Sequence, residues 1–324
     1  DRTAFSDQLL ENGSTDFYFS NNEKRGYINR LEFKVNGAVV KMEDHPQHQD
    51  IIKIVLTTPL APGASCKIET PFHVKLPYNI SRGGHKGQAY QITQWYPKAA
   101  VYDKKGWHEM PYLDQGEFYS DFGNYKVQVT LPSDYKIAAT GEELPGNNAG
   151  TNAIKQPLKT YVYQQNDVID FAWFADKNFI VKKDTLTLLS GRVINVSAYS
   201  LPVKGKEDYW KNALKYIKKA VLSRGNFMGE YPYNTVTAVQ GEFKYTGGME
   251  YPTITLISGA KTERVMESVI EHEVGHNWLQ AIIATNEREF PWMDEGMDNY
   301  YKSRYPYEPI APVITKKGQK DFWK

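Results

Sequence analysis

Residues 271–278 read Glu-His-Glu-Val-Gly-His-Asn-Trp, within a segment whose apolar periodicity predicts a long helix over 262–285. His272 and His276 are four positions apart, so they project from the same helical face. Their imidazole nitrogens can therefore meet at one Zn²⁺ ion, each about 2 Å from it. Glu273 lies beside His272 and can act as general base toward a metal-bound water without ligating the metal. This pattern predicts a zinc-binding helix.

A catalytic zinc ion needs a third protein ligand and an open position for water. Glu295 lies 19 positions after His276, in the sequence Trp-Met-Asp-Glu-Gly at the start of a helix predicted over 294–305. A turn between the two helices can bring Glu295 back over the histidine pair. The sequence thus predicts one Zn²⁺ per chain, held by His272, His276 and Glu295. Asp298 and Asn299 are candidates to accept the second N–H of a histidine, and a solvated helix face is the alternative.

Upstream of this helix, residues 247–252 read Gly-Gly-Met-Glu-Tyr-Pro and lie between two predicted strands. Paired glycines let a backbone approach a ligand closely. Glu250 is a candidate anionic anchor for an ammonium group. A hairpin loop with a solvated glutamate is the alternative interpretation of these residues.

The rest of the chain predicts two domains, as expected for 324 residues. Short β-branched and aromatic runs separated by turn residues predict an all-β, sandwich-like domain over residues 1–183. Helical periodicity over 207–222, between further strands, predicts an α+β domain over residues 184–324. The runs that predict strands are 31–35, 51–57, 67–76, 125–131, 135–140, 160–163, 169–174, 179–182, 185–189, 193–199, 234–240 and 253–258.

Composition excludes several classes of protein. Lys plus Arg is 39 and Asp plus Glu is 38, a balance that argues against binding nucleic acid through a basic surface. One cysteine, Cys66, allows no intrachain disulfide and no cysteine-based metal cluster. No apolar run is long enough for a transmembrane segment. A soluble protein is expected, and because the chain begins at Asp1, export to the periplasm or the medium with removal of a signal is one possibility. The compartment and the oligomeric state are not predicted.

Taken together, these motifs resemble the gluzincin aminopeptidase family, which includes aminopeptidase N and the bifunctional leukotriene hydrolase. The sequence is similar to the bacterial members of that family. The family has a Gly-x-Met-Glu-Asn loop, then His-Glu-x-x-His, then a glutamate 19 positions after the second histidine. The resemblance implies a saddle-like N-terminal β domain followed by a thermolysin-like catalytic domain. It also implies peptide substrates with a free N-terminus.

The same resemblance implies a role for each matching residue. His272, His276 and Glu295 would bind zinc, and Glu273 would be the general base that later passes the proton to the leaving amine. Glu250 would capture the substrate's α-ammonium group. Further substrate contacts would come from the segment Gly247, Gly248 and Met249, and from Gln94 or Tyr96 on a loop of the β domain.

Three departures from the family pattern affect these expectations. Tyr251 replaces the usual asparagine of the loop, and Tyr96 replaces the usual acidic or amide anchor. The family's oxyanion-stabilising tyrosine lies well beyond the zinc helix, whereas this chain ends 48 residues after His276. That tyrosine is therefore expected beyond residue 324, and the chain is expected to lack the C-terminal part of such an enzyme. Two alternatives stay open: another hydrolase on the same scaffold (an endopeptidase or an epoxide hydrolase), or a non-catalytic peptide- or protein-binding fragment.

Overall fold

The computed structural model describes residues 3–78, 81–203, 205, 208–241 and 247–307. Contacts along the chain divide it into two units, Asp1–Asp121 and Phe122–Lys324. The sequence predicts a domain boundary after residue 183, which lies within a strand, Ile180–Thr187. Residues 308–324, which that prediction includes in the second domain, lie outside the described residues.

The first unit is strand-rich, as predicted, and its strands form small antiparallel ladders. β1 pairs with β7, β2 pairs with β3 and β6, β4 pairs with β5, β8 pairs with β9, and β10 pairs with β11. A short helix that the sequence analysis did not predict, α1, begins after Thr3, whose hydroxyl accepts the N–H of Ser6. The elements are α1 (Ala4–Glu11), β1 (Tyr27–Asn29), β2 (Lys34–Val35), β3 (Ala38–Val39), β4 (Lys41–Asp44), β5 (Ile52–Val55), β6 (Ile68–Glu69), β7 (His73–Lys75), β8 (Gly84–Lys86), β9 (Ala89–Ile92), β10 (Val101–Asp103) and β11 (Gly106–His108).

The second unit begins with five strands in antiparallel pairings. The central long strand β15 pairs with β12 on one side and β14 on the other, and β13 pairs with β16. These strands are β12 (Gly123–Pro132), β13 (Lys136–Ala139), β14 (Glu142–Thr151), β15 (Pro157–Val168) and β16 (Trp173–Asp176).

A five-stranded sheet follows and carries the residues of interest. Its order is β17-β18-β19-β21-β20, with β18, β19 and β21 parallel and the two outer strands antiparallel. The Gly-Gly-Met-Glu segment is strand β20 rather than the predicted loop, because Gly247 to Tyr251 pair with Ser258 to Ile254. The strands are β17 (Ile180–Thr187), β18 (Val193–Ser200), β19 (Thr235–Gln240), β20 (Gly247–Tyr251) and β21 (Ile254–Ser258).

The helices of the second unit differ from the predictions at their ends. The helix predicted over 207–222, whose first residue lies outside the described residues, is a 3₁₀ turn at Tyr209–Asn212 followed by α2 (Ala213–Met228). The carboxylate of Asp208 accepts the N–H of Trp210 and thereby starts the turn. Gly229, with φ of +94°, ends α2.

The helix that the sequence predicts to bind zinc is also shorter than its periodicity predicts. α3 spans Glu263–Leu279, six residues short of the predicted end at residue 285. Ala284 adopts a φ of +50°, and Ile282 and Ile283 are 41% and 49% exposed. These isoleucines extend the apolar pattern without a surface to pack against. A 3₁₀ turn (Pro291–Met293) and α4 (Glu295–Lys302) complete the described elements, α4 ending three residues before the predicted residue 305. No helix in the described part of the chain is both long and apolar enough to cross a membrane.

The core of the second unit lies on both faces of the five-stranded sheet. On one face, α2 and α3 pack against residues such as Val196 and Val236. From α3, this cluster takes a stripe of residues four positions apart: Met266, Ile270, Val274 and Trp278. The other face buries Tyr199, Val239, Met249, Tyr251 and Leu256. The sheet is therefore buried on both faces, with α3 packed on one of them.

Candidate metal centre

Helix α3 presents two histidines on the side away from its apolar stripe. Thr262 caps the helix, since its hydroxyl accepts the N–H of Val265 at 3.1 Å. His272 lies two positions before Val274, about 160° around the helix from it. The ring centroids of His272 and His276 are 4.8 Å apart. The packing that buries the apolar stripe therefore fixes where the imidazoles point.

The third predicted ligand lies within reach of both histidines. Glu295 is the first residue of α4, and its Oε2 lies 3.5 Å from His272 Nε2 and 4.0 Å from His276 Nε2. The three donor atoms all lie within 4.8 Å of one another. The structure thus brings together the three residues that the sequence predicts as zinc ligands.

The second nitrogen of each imidazole contacts a buried carboxylate. His272 Nδ1 is 2.6 Å from Asp298 Oδ2, and His276 Nδ1 is 2.7 Å from Asp294 Oδ1. Of the two residues expected near these nitrogens, Asp298 is there, whereas the Asn299 amide donates to the carbonyl of Glu295 at 2.8 Å. Sequence reasoning missed Asp294. Its position directly before Glu295 could have identified it as a carboxylate close to the histidines.

These residues fit a zinc ion by their own geometry. His276 Nε2 is buried and has no hydrogen-bond partner among the residues that the structure describes. Two imidazoles and one carboxylate match the His₂Glu donor set of catalytic zinc sites. Carboxylates on the far nitrogens fix the tautomer and ring orientation that ligation requires.

Glu273 lies against strand β20, where only a glycine leaves room for it. A Cβ atom added to Gly248 would lie 2.4 Å from the Glu273 side chain. Glu273 is 4% exposed. Burial raises the pKa of Glu273 to about 7, although the neighbouring charges of His272 and His276 act to lower it. The group is thus a carboxyl that gains and loses a proton near neutral pH.

Glu250 shares a strand face with Gly248, because side chains alternate along β20. It is 5% exposed and forms, with His276 and Asp294, a second group whose ligand atoms lie within 4.8 Å of one another. Burial alone would lower the pKa of His276, but the carboxylates of Glu250, Asp294 and Asp298 together raise that pKa well above its ordinary value. The surrounding carboxylates therefore favour a positive charge at this position.

Three other predicted substrate residues are described each within its own unit. Met249 is on the opposite face of β20 and packs in the core with Val239 and Leu256. Gln94 and Tyr96 belong to the first unit, where Gln94 has a φ of +50° and the Tyr96 ring lies 5.2 Å from that of Trp95. Their contact with a substrate stays a prediction.

Asn277, directly after the second histidine, ties the Glu250 hairpin to α3. Its Oδ1 accepts the backbone N–H of Thr253 at 2.8 Å, and its amide donates to the carbonyl of Val274. Thr253 is fully buried in the β20–β21 turn, with a φ of +66° that β-branched residues rarely adopt. Sequence reasoning had no signal for this contact.

Comparison with known proteins finds similar solved structures, all of low sequence identity. An M1 zinc metallopeptidase from Deinococcus radiodurans superimposes with a TM-score of 0.58 at 16% identity, covering 86% of this chain and 60% of that one. A variant of that enzyme bound to a Tyr-Ser-Ala substrate gives 0.57 at 15% identity, with the same coverage. Legionella pneumophila aminopeptidase A, in complex with aspartic acid, gives 0.61 at 14% identity and covers 89% of this chain and 34% of that one.

These comparisons establish a shared fold. The chain spans 60% or less of the length of the three structures. No protein-family model matches the sequence. No curated protein matches it either.

Proposed function

We propose that this chain carries the active centre of a zinc metallopeptidase of aminopeptidase type, which removes the N-terminal residue from peptides. One observation carries the proposal: two imidazole Nε2 atoms and the Glu295 carboxylate converge, and the far nitrogen of each imidazole contacts a buried carboxylate. The fold shared with M1 zinc metallopeptidases supports it.

In this proposal, Glu273 moves the proton. A zinc ion held by His272, His276 and Glu295 would lower the pKa of a water ligand and polarise a peptide carbonyl. Glu273 would take a proton from the water as the water oxygen adds to the carbonyl carbon, and would give that proton to the amine released when the C–N bond breaks. A pKa near 7 suits a group that must do both. Gly248 leaves the space in which this side chain lies.

Glu250 binds the substrate's α-ammonium group in this proposal. Glu250, Glu273, Asp294 and Asp298 are all buried and lie around the histidine pair with Glu295. A divalent cation and one substrate ammonium would offset most of this negative charge. By holding the ammonium beside the predicted zinc ligands, Glu250 would place the first peptide bond at the metal, which would restrict cleavage to the N-terminal residue.

The first test separates metal binding from turnover. The purified chain should contain about one zinc ion, and His276→Ala or Glu295→Ala should lose it. Glu273→Gln should keep the metal and lower turnover by roughly 10²–10⁴-fold. Glu263→Gln is the control, because Glu263 lies at the other end of α3 and pairs with Lys211 on the surface. Loss of zinc from Glu273→Gln would instead make Glu273 a ligand.

The second test addresses the Glu250 assignment. The chain should cleave peptides with a free N-terminus and ignore the same peptides after acetylation. Equal cleavage of both would favour an endopeptidase. A chain that holds zinc and binds peptide without turnover would favour the binding-fragment alternative.

A further inference from the structure

A chain of buried charged groups extends from His272 away from the metal donors. Asp298 contacts His272 Nδ1 through Oδ2, and its Oδ1 lies 3.1 Å from Arg224 Nη2. Arg224 Nε donates in turn to Glu271 Oε1 at 2.6 Å. Arg224 is 1% exposed, and Asp298 and Glu271 are fully buried. The two oxygens of Asp298 therefore face different groups, Oδ2 the His272 imidazole and Oδ1 the Arg224 guanidinium.

Arg224 reaches this position from the neighbouring helix α2, through a gap at Gly275. A Cβ atom added to Gly275 would lie 2.2 Å from Asp298 Oδ1 and 2.7 Å from the Arg224 guanidinium. The glycine between the two histidines thus leaves the space in which Arg224 of α2 and Asp298 of α4 meet beside α3. Sequence reasoning left this glycine unexplained.

Burying an ion pair carries a large desolvation cost, and replacing the whole pair with well-packed apolar side chains is often neutral or stabilising. Helix packing alone therefore gives little reason for an arginine here. Its guanidinium does what an apolar residue cannot, because it contacts the carboxylates of Glu271 and Asp298 at the same time.

We propose that Arg224 is a positioning residue of the metal centre, which holds the Asp298 carboxylate in the orientation that fixes His272. This inference rests on the proposed zinc site. Without Arg224, Asp298 would lose the charged group that its Oδ1 faces, and its carboxylate would be free to rotate. Rotation would remove the acceptor that keeps His272 Nε2 available for the metal.

The same two helices provide a matched control. Lys219 of α2 and Glu267 of α3 form a second buried ion pair at 2.8 Å, with side chains 1% and 6% exposed. The Lys219 ammonium also lies 4.7 Å from the Tyr305 ring centroid and donates to the Tyr307 carbonyl. None of these partners is a predicted zinc ligand, and none is Asp294 or Asp298, the two carboxylates that contact the histidines. Removing Lys219 should therefore disturb the packing of α2 on α3 without touching the histidines.

The test compares Arg224→Met with Lys219→Met in the full chain. Zinc affinity is measured by competition with a chromophoric chelator, and folding by thermal melting of the metal-free protein. Both variants should melt at lower temperature, because each leaves a buried carboxylate unpaired. Only Arg224→Met should weaken zinc binding, by about 10–100-fold. The visible spectrum of the cobalt-loaded protein should change in Arg224→Met and not in Lys219→Met.

Two further variants keep the inference falsifiable if Arg224→Met does not fold. Arg224→Lys, which keeps the charge without the guanidinium, should recover part of the affinity at most. Asp298→Asn should weaken zinc binding about as much as Arg224→Met does. The double variant Asp298→Asn with Arg224→Lys should bind zinc little more weakly than Asp298→Asn alone. Wild-type affinity in Arg224→Met or Arg224→Lys, or equal losses in Arg224→Met and Lys219→Met, would overturn the inference. A wild-type chain that binds no zinc would overturn the proposed function itself.

Discussion

Glu273 is a carboxyl buried beside two histidines, and its protonation depends on whether a cation is present. In the metal-free protein, burial raises its pKa to about 7. The ordinary value for a glutamate is near 4.5. Between these two pH values, the folded chain binds more protons at this position than the unfolded chain does. The stability contributed by Glu273 is therefore largest below about pH 4.5 and falls as the pH rises to about 7.

This loss of stability with rising pH leads to a prediction for the metal-free protein. Glu273→Gln removes the ionisable group, so the variant should be more stable than the wild type at pH 8, by up to about 3 kcal/mol. At pH 5 the difference should be much smaller. Thermal melting in excess chelator at both pH values measures it. A wild type that is the more stable protein at pH 8 would contradict the burial argument.

At the scale of elements, the relation between β20 and α3 determines how closely Glu273 and Glu250 approach the histidines. The turn after β20 is held to α3 by the hydrogen bond from Thr253 N–H to Asn277. β20 also pairs with β21 along its whole length. The strand therefore cannot move away from the helix to make room for a larger side chain.

Gly248→Ala should for this reason displace Glu273 rather than β20. We expect zinc to be retained and turnover to fall by roughly 10²-fold or more, since a misplaced general base loses most of its effect. Metal analysis and peptidase assays on the same preparation test this. Gly225→Ala in α2 is the matched control, because its added Cβ meets nothing within 4 Å. Unchanged turnover in Gly248→Ala would show that Glu273 is not confined as described.

The contacts of this centre that could be predicted from the sequence are those between residues close together in the chain. His272 and His276 were predictable because the period of a helix alone puts them on one face, and Glu295 because it follows at a characteristic distance. Arg224 was not predictable, because its contact depends on the packing of α2 against α3. The edge strand at Gly247 was misread as a loop, since its glycines suggest a turn and only its pairing with β21 shows a strand.

At the scale of the whole molecule, all the candidate zinc ligands and their carboxylate partners belong to the second of the two units. A ligand that binds only the folded state stabilises the part of the chain that holds its donors. Loading the chain with zinc should therefore slow amide hydrogen exchange in α3, β20 and α4. The exchange of β1 to β11 in the first unit should change little.

Hydrogen exchange followed by mass spectrometry, with zinc and with chelator, measures this difference peptide by peptide. His276→Ala, treated in the same two ways, is the control and should show no difference. Equal protection in both units would mean that they open together as a single cooperative system.

Gly275 has a consequence for which substitutions this protein can accept in evolution. Its missing side chain is the space that Arg224 and Asp298 share, so three positions far apart in the sequence meet at one point. A larger residue at 275 is compatible with a sound fold only if the arginine or the aspartate is replaced as well. Among homologues, positions 224, 275 and 298 should therefore covary, and a lineage that acquires alanine at 275 should have lost the arginine or the aspartate.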